Sequence, residues 1–479
     1  MNLIISAIFV FLALILLARP LVVFLMTWVV DRPSLKKQVV ALFIFGTGIM
    51  VYAISVSQWF YYTGALALFI VGLLAVAEGL AIVLCGEDKY RIFVRYCVDR
   101  YWIISAPSIV LLVFLAGFLA FRSYIGPIPD IGECRSGDEL KVLCGFEKPP
   151  EDMALTPDGK YILVSEFGGI AAFVEAAGET VSSGKLSLLD STTLETVTPK
   201  VSYSDNTWGD GFCQRDQTMI FNPHGLDLIQ RSDGRYQIAV VTHGPMEAVD
   251  MFELVAEEKP EVHIVDVDHI PWRLVWRGCV EAPSVNFFND VALAPDGSFF
   301  VTHMHGRDFS LNDYLLATLT KPDTGYVLRW DRDVGFSQVP ATEGGQPNGI
   351  AYDSHSGVLH VAFNLSDRVD AIDLIARSVI ASYSVDAPDN LVLKEGSLWV
   401  TSLLHQPMDG LVCERYPCAL PFSIIELDAS DYREKTKWDL RGQPFGLPTV
   451  ALPALSVDGE KQIFIGTFLG NRMGRLVAK

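Results

Sequence analysis

The sequence predicts an all-β six-bladed propeller preceded by an α-helical membrane domain of about four transmembrane helices. Two observations carry this. Between Glu151 and Phe468 one pattern recurs six times: a polar pair, an apolar strand, a Gly-containing turn and a second apolar strand. Before it, residues 1–122 hold long apolar runs of a kind the rest of the chain lacks. The expected domains are therefore a transmembrane domain at 1–122 and a propeller at 123–479.

The apolar runs cover residues 3–30, 38–58, 62–85 and 103–121. Each is long enough to cross a hydrocarbon core of about 30 Å at a helical rise of about 1.5 Å per residue. Arg32, Lys36 and Lys37 follow the first run, and Lys89, Arg91, Arg95 and Arg100 follow the third. Between the second and third lies only the uncharged, aromatic Ser57-Gln58-Trp59-Phe60-Tyr61-Tyr62. The positive-inside rule puts both basic loops in the cytoplasm and everything after Phe121 on the extracytoplasmic side. Residues 1–20 also admit reading as a signal peptide, but there is no Lys or Arg in the n-region and no A-x-A site. Arg19 and Glu78 interrupt apolar runs. They either pair within the bilayer or snorkel to its cytoplasmic face. Pro20 predicts a kink.

After Gly126-Pro127-Ile128-Pro129 the signal changes to short strands separated by turns. The six units are Glu151-Asp152 before MALTPDGKYILVSE, Pro223-His224 before GLDLIQRSDGRYQIAVVTH, Asn289-Asp290 before VALAPDGSFFVTH, Pro347-Asn348 before GIAYDSHSGVLHVAF, Asp389-Asn390 before LVLKEGSLWVTS, and Pro448-Thr449 before VALPALSVDGEKQIFIGTF. Strand pairs recurring at about 40–70 residues describe propeller blades; a large β-sandwich is the competing architecture. A propeller must close its ring, and the strand-like stretch Glu139–Phe146 is the candidate to pair with the last blade.

Composition narrows the function. A net charge of −19 argues against nucleic-acid binding. Eight cysteines without a CxxC pair give no zinc site; Cys134/Cys144 and Cys413/Cys418 are close enough to form small disulfide loops. Asn364-Leu365-Ser366 is an N-glycosylation sequon.

Each blade of a propeller points its innermost strand at one axis, so residues at one register form a ring. Here the ring holds Glu151, Asp152, His224, Asn289, Asp290, Asn348, Asp389, Asn390 and Thr449. Carboxylates and amides without thiolate suit a hard cation, and Ca²⁺ takes six to eight such oxygens. Asn and Asp before strands also serve simply to stabilise turns.

FNPHG, with PED, FFND, PNGI, PDN before LWV, and the final TVA…IGTF, resembles the paraoxonase/arylesterase family of calcium-dependent lactone and aryl-ester hydrolases over residues 145–475. The resemblance implies two calcium ions. The catalytic ion falls to Glu151, Asn289, Asn348, Asp389 and Asn390; the structural ion falls to Asp152, Asp290 and the backbone carbonyl of Leu226. It implies a histidine dyad at His224 and His243, with His305, and more weakly His405, as further pocket histidines. The expectation is a membrane-anchored hydrolase of small lactones or esters, in which calcium polarises the carbonyl and the dyad activates water. The alternative is a non-catalytic propeller, tethered to the bilayer, that assists assembly of other membrane proteins and keeps calcium for structure only. Three departures from the family pattern stand out. There is no cysteine in Asn471–Lys479 to tie the ring, the lid segment Leu311–Leu319 is short, and a four-span domain replaces a single anchor.

Overall fold

The computed structural model describes residues 2–30, 42–50, 72–73, 75–77, 80, 84, 87–125, 128, 130–169, 182–215, 218–244, 246–257, 271–404, 418–456 and 459–477. The chain divides into two compact units, one of residues 1–128 and one built from Pro129–Gly410 and Tyr416–Lys479.

The first unit holds helices α1 (Asn2–Leu17), α2 (Arg19–Val30), α3 (Glu87–Asp99) and α4 (Tyr101–Ile125). The run expected to be one span at 3–30 is two helices that break at Ala18. Pro20 explains the break, since it has no N–H to give the carbonyl four residues back, at Leu16. The Tyr101 hydroxyl donates to that freed carbonyl, and α1 packs along α4. Among the described residues no single helix is long and apolar enough to cross a membrane; Arg91–Asp99 and Tyr101–Gly117 pass together, but bent by 90°. Most of the expected spans 38–58 and 62–85, with Glu78, lies outside the described residues.

The second unit is a six-bladed propeller of six sheets. The chain first makes β1 (Lys141–Cys144). Blade 1 then comprises β2 (Pro150–Leu155), β3 (Tyr161–Glu166), β4 (Lys185–Asp190) and β5 (Thr196–Val197). Blade 2 comprises β7 (Asn222–Gln230), β8 (Tyr236–His243), β9 (Ala248–Ala256) and β10 (Trp272–Glu281), with β6 (Lys200–Tyr203) added parallel to β10. Blade 3 comprises β11 (Asn286–Leu293), β12 (Phe299–Gly306), β13 (Tyr326–Asp331) and β14 (Gly335–Gln338). Helix α5 (Leu311–Thr320) leaves blade 3 between β12 and β13. Blade 4 comprises β15 (Pro347–Asp353), β16 (Val358–Phe363), β17 (Arg368–Asp373) and β18 (Ser378–Ser384). Blade 5 comprises β19 (Pro388–Lys394), β20 (Ser397–Leu403), β21 (Phe422–Asp428) and β22 (Glu434–Leu440). Blade 6 comprises β23 (Pro448–Leu455), β24 (Lys461–Thr467) and β25 (Arg472–Val477). Its fourth strand is β1, antiparallel to β25 with Lys141 opposite Arg475. The ring thus closes where the strand signal at 139–146 predicts.

Both faces of each blade are covered, which is why the inner strands read as unbroken apolar runs. In β8, Ile238 and Val240 pack towards blade 1, while Ala239 and Val241 pack towards blade 3. Successive side chains on a strand point to opposite faces, so one strand serves two interfaces. The six buried apolar clusters are the six interfaces between neighbouring blades. The glycine repeated in the sequence has one cause. Gly159, Gly234, Gly297, Gly357, Gly396 and Gly459 all turn the chain at φ between +69° and +91°, a conformation that glycine adopts without steric cost.

Cys134–Cys144 is bonded as the spacing suggests, and Cys413 lies outside the described residues. Cys213–Cys279 is a second bridge, between partners 66 residues apart that local spacing could not pair. Asn364 of the sequon is buried, its amide donating to the Pro388 carbonyl at 3.1 Å, so the folded propeller withholds it.

Arg472 reinforces the closure of the ring. Its guanidinium donates to the carbonyls of Ile131, Gly132 and Pro444 at 2.9–3.2 Å. We expect Arg472→Ala to remove these charge-assisted hydrogen bonds and to lower stability by about 2–4 kcal/mol, read as a fall in Tm.

His360, in β16, is buried and shares a 2.8 Å hydrogen bond with the Tyr432 hydroxyl. Burial pushes its pKa down to about 4, below the unfolded value of about 6.5. The native state therefore refuses a proton that the unfolded chain accepts. The associated stability is complete above pH 6.5 and is lost as pH falls from there through 4, on the order of 3 kcal/mol in all. Denaturant melts between pH 7 and 4 should show a shallower loss in His360→Gln than in the parent.

Candidate active site and metal centre

The ring residues lie within the innermost strands, not before them as the sequence pattern suggests. In all six blades the pairing between the first two strands slips at the polar pair, for example between Pro150 and Asp152 and between Pro388 and Leu391. Such irregularities re-aim side chains. Here they coincide with Glu151, Asp152, His224, Asn289, Asp290, Asn348, Asp389, Asn390 and Thr449. All of these are buried except Asp389, which keeps some exposure.

Glu151, 1 % exposed, is the hub. Its Oε1 accepts from the Asn390 amide at 3.1 Å and lies 3.5 Å from His224 Nε2, while its backbone carbonyl accepts from the Thr449 hydroxyl. Asn348 hydrogen-bonds Asp389. What remains unpaired is informative: Glu151 Oε2, Asn289 Oδ1, Asn348 Oδ1 and Asn390 Oδ1 are buried and receive no hydrogen bond. All four are acceptors, drawn from four blades. Burial pushes Glu151 up to about 8. Asp389 is also raised well above the usual carboxylate range, first by burial and then by Glu151. Among the described residues no three His, Cys, Asp or Glu side chains converge as a ligand group. The set available to a cation is instead mixed, two carboxylates and three amide oxygens, which is the donor chemistry of a hard ion.

The second expected set behaves differently. Asp152 accepts from its own Met153 N–H at 2.8 Å and from Leu226 N–H of blade 2 at 2.6 Å. Asp290 accepts from Val291 N–H at 2.8 Å and from Ile350 N–H of blade 4 at 2.9 Å. Asp227, which the sequence reading passed over, repeats the arrangement with Leu228 and with Leu293 of blade 3. Three aspartates thus clasp four successive blades, and no oxygen of Asp152 or Asp290 is left without a donor. Leu226 is buried and enters this network through its N–H.

The histidines separate into two groups. His224 Nδ1 lies 2.8 Å from His243 Nε2, and His243 Nδ1 lies 2.9 Å from Glu247 Oε2. Burial, and then His243, hold the His224 pKa well below its ordinary value. Phe167 stacks on His224 and Phe287 on His243, at 4.4 and 4.6 Å with planes 7° apart. His305 stands on the far side of Phe287, stacked between it and Phe309, and its Nδ1 is 2.9 Å from the Gly306 carbonyl. It belongs to the aromatic wall and not to the hydrogen-bonded line. His405 lies outside the described residues. The segment expected to match the family's lid is helix α5, opened by a Ser310/Asp313 capping box. Tyr314 on this helix has its phenol pKa raised, first by burial and then by Asp389, which sets the helix beside the ring. Glu247, Phe167 and Phe287 escape the sequence reading because they sit outside the repeated register.

No protein-family model and no curated protein matches this chain. Among solved structures it is similar to a luciferin-regenerating enzyme (11% identity, TM-score 0.40, 71% of this chain and 95% of that one). A streptogramin B lyase matches at 12% identity and TM-score 0.37, over 70% and 96% of the two chains. A nidogen/laminin complex matches at 12% and 0.35, over 60% and 79%.

Gly225 of FNPHG matters through space. A Cβ there would lie 2.5 Å from the Cα and Oδ1 of Asp290 and 2.6 Å from the Asn289 carbonyl. We expect Gly225→Ala to push the innermost strands of blades 2 and 3 apart and to cost about 3 kcal/mol. Gly211→Ala, with open space around it, should leave the thermal melt unchanged.

Proposed function

We propose that this chain is a calcium-dependent hydrolase of lactones or aryl esters, anchored in a membrane with its propeller on the extracytoplasmic side. One observation carries the reading: four buried oxygens from four blades receive no hydrogen bond, and one belongs to Glu151, whose other oxygen lies 3.5 Å from the hydrogen-bonded histidine pair. An unpaired buried acceptor costs about 1–3 kcal/mol, and a cation held by Glu151, Asn289, Asn348, Asp389 and Asn390 relieves all four at once. When bound, Ca²⁺ supplies a Lewis acid that polarises a carbonyl and steadies the negative charge developing on its oxygen. The side chains do the rest. His224 presents Nε2 towards Glu151 and takes a proton from water there. His243 holds the opposite edge of the His224 ring. Phe167 and Phe287 fix both ring planes and keep water off their faces. Tyr314 borders the substrate's approach from helix α5.

The saturated clasps at Asp152 and Asp290 give no comparable reason for a second ion, so the proposal keeps one. Membrane attachment is supported by the apolar runs and by the bare side chains of Phe11, Phe24, Ile103 and Phe114 on the helices before residue 126.

The purified full-length chain should hydrolyse phenyl acetate and a panel of lactones, lose at least about 100-fold of that rate in EDTA, and recover with added calcium. At 100 times its Kd, calcium should stabilise the fold by about 2.7 kcal/mol, and Glu151→Gln should abolish both the rate and the stabilisation. Calcium-dependent melting without hydrolysis would make the site a structural clamp, and hydrolysis unaffected by EDTA would overturn the reading.

A further inference from the structure

Behind the histidine pair lies a carboxylate with no part in the repeat. Glu247 stands in the short connection between β8 and β9 and is 7 % exposed. Its Oε2 is 2.9 Å from His243 Nδ1, and its Oε1 accepts the Phe288 N–H at 2.8 Å. Phe288 directly precedes Asn289, so the residue that holds the histidine line is itself tied to a strand of the cation ring.

We infer that Glu247 is a positioning residue that sets the tautomers of both histidines. A carboxylate only accepts hydrogen bonds, so the proton in its contact with His243 sits on His243 Nδ1. A neutral imidazole carries one N–H, which leaves His243 Nε2 an acceptor. At 2.8 Å it accepts from His224 Nδ1–H. His224 in turn has a bare lone pair on Nε2, the nitrogen that faces Glu151 at 3.5 Å. One buried carboxylate thus determines, two rings away, that the atom facing Glu151 is a base and not a donor. The same line steadies the charge when His224 gains a proton, as the carboxylate does in serine-hydrolase triads. The ring positions do not depend on Glu247, because Phe167 and Phe287 hold both planes by stacking. Removing the carboxylate should therefore change where the protons sit without moving the rings. The tautomers follow from the hydrogen bonds together with a neutral His243 and an ionised Glu247; their use in catalysis rests on the hydrolase reading.

The test has a spectroscopic and a kinetic arm, both on the full chain in detergent. With ¹⁵N-labelled histidine, His224 and His243, assigned by loss of signal in His224→Gln and His243→Gln, should each show a protonated Nδ1 and a bare Nε2. Glu247→Gln offers an amide donor to His243 Nδ1 and should invert or mix these tautomers. In phenyl acetate hydrolysis with calcium, Glu247→Gln should lower kcat by about 10²–10⁴-fold with KM within about twofold, and Glu247→Asp should recover part of the loss. Mixed tautomers in the parent, or tautomers and kcat unchanged in Glu247→Gln, would overturn the assignment. If Glu247→Gln fails to fold, the parent spectrum and Glu247→Asp still decide it. A parent with fixed tautomers and no hydrolysis would refute the hydrolase reading and leave the tautomer assignment standing.

Discussion

Everything in the propeller depends on six innermost strands meeting round one axis. That convergence takes carboxylates and amides out of water and crowds them at a single level. Four orphaned acceptors at about 1–3 kcal/mol each come to about 4–12 kcal/mol, comparable to the whole net stability of an ordinary domain, about 5–15 kcal/mol. The fold tolerates such a centre because its position is over-determined. Gly225 and Gly349 let neighbouring strands approach closely enough that a Cβ would strike backbone, and three aspartates stitch blades 1 to 4 along the same level.

Two kinds of polar residue stand side by side in this ring. Asp152 and Asp290 satisfy themselves with backbone donors, whereas Glu151 and the three asparagines keep oxygens that no protein donor reaches. The letters alone do not distinguish them, since both kinds occur in the same dipeptides, Glu151-Asp152 and Asn289-Asp290. The distinction arises because adjacent side chains on a strand meet different surroundings: the aspartates reach backbone N–H groups of the next blade, and their neighbours do not.

This marks what was legible in the sequence. The blades, the turn glycines and the ring register follow from local pattern repeated at long range, which a single chain displays; the closure by 139–146 follows from the need to close the ring, and the pairing of His224 with His243 is implied only by the family resemblance. The clasp made by Asp227, the anchor made by Glu247 and the Cys213–Cys279 bridge occur once each, between segments brought together only by the closed ring. No period announces them. The helical break at Ala18 is a similar case. Pro20 hints at it, but the apolar run continues through, and hydropathy reads composition without reading hydrogen bonds. His305 illustrates the reverse: a strand-end histidine beside the site that joins an aromatic stack and not the proton line.

The pairing of β1 with β25 has a consequence for biosynthesis. β1 is the first strand of the propeller to be made and borders the last blade, so its partner follows about 330 residues later. At about 5–20 residues per second the ribosome needs roughly 15–65 s to supply it. During that interval blade 1 exposes the apolar face carrying Met153, Ile162 and Val164, which in the finished ring packs on Val450 and Phe464. The nascent chain therefore presents a sticky, half-built circle for far longer than a hairpin takes to form, about 1–10 μs. Whatever shields that face must act where the propeller folds, and its occupancy, more than the stability of the finished ring, would set the yield of folded protein.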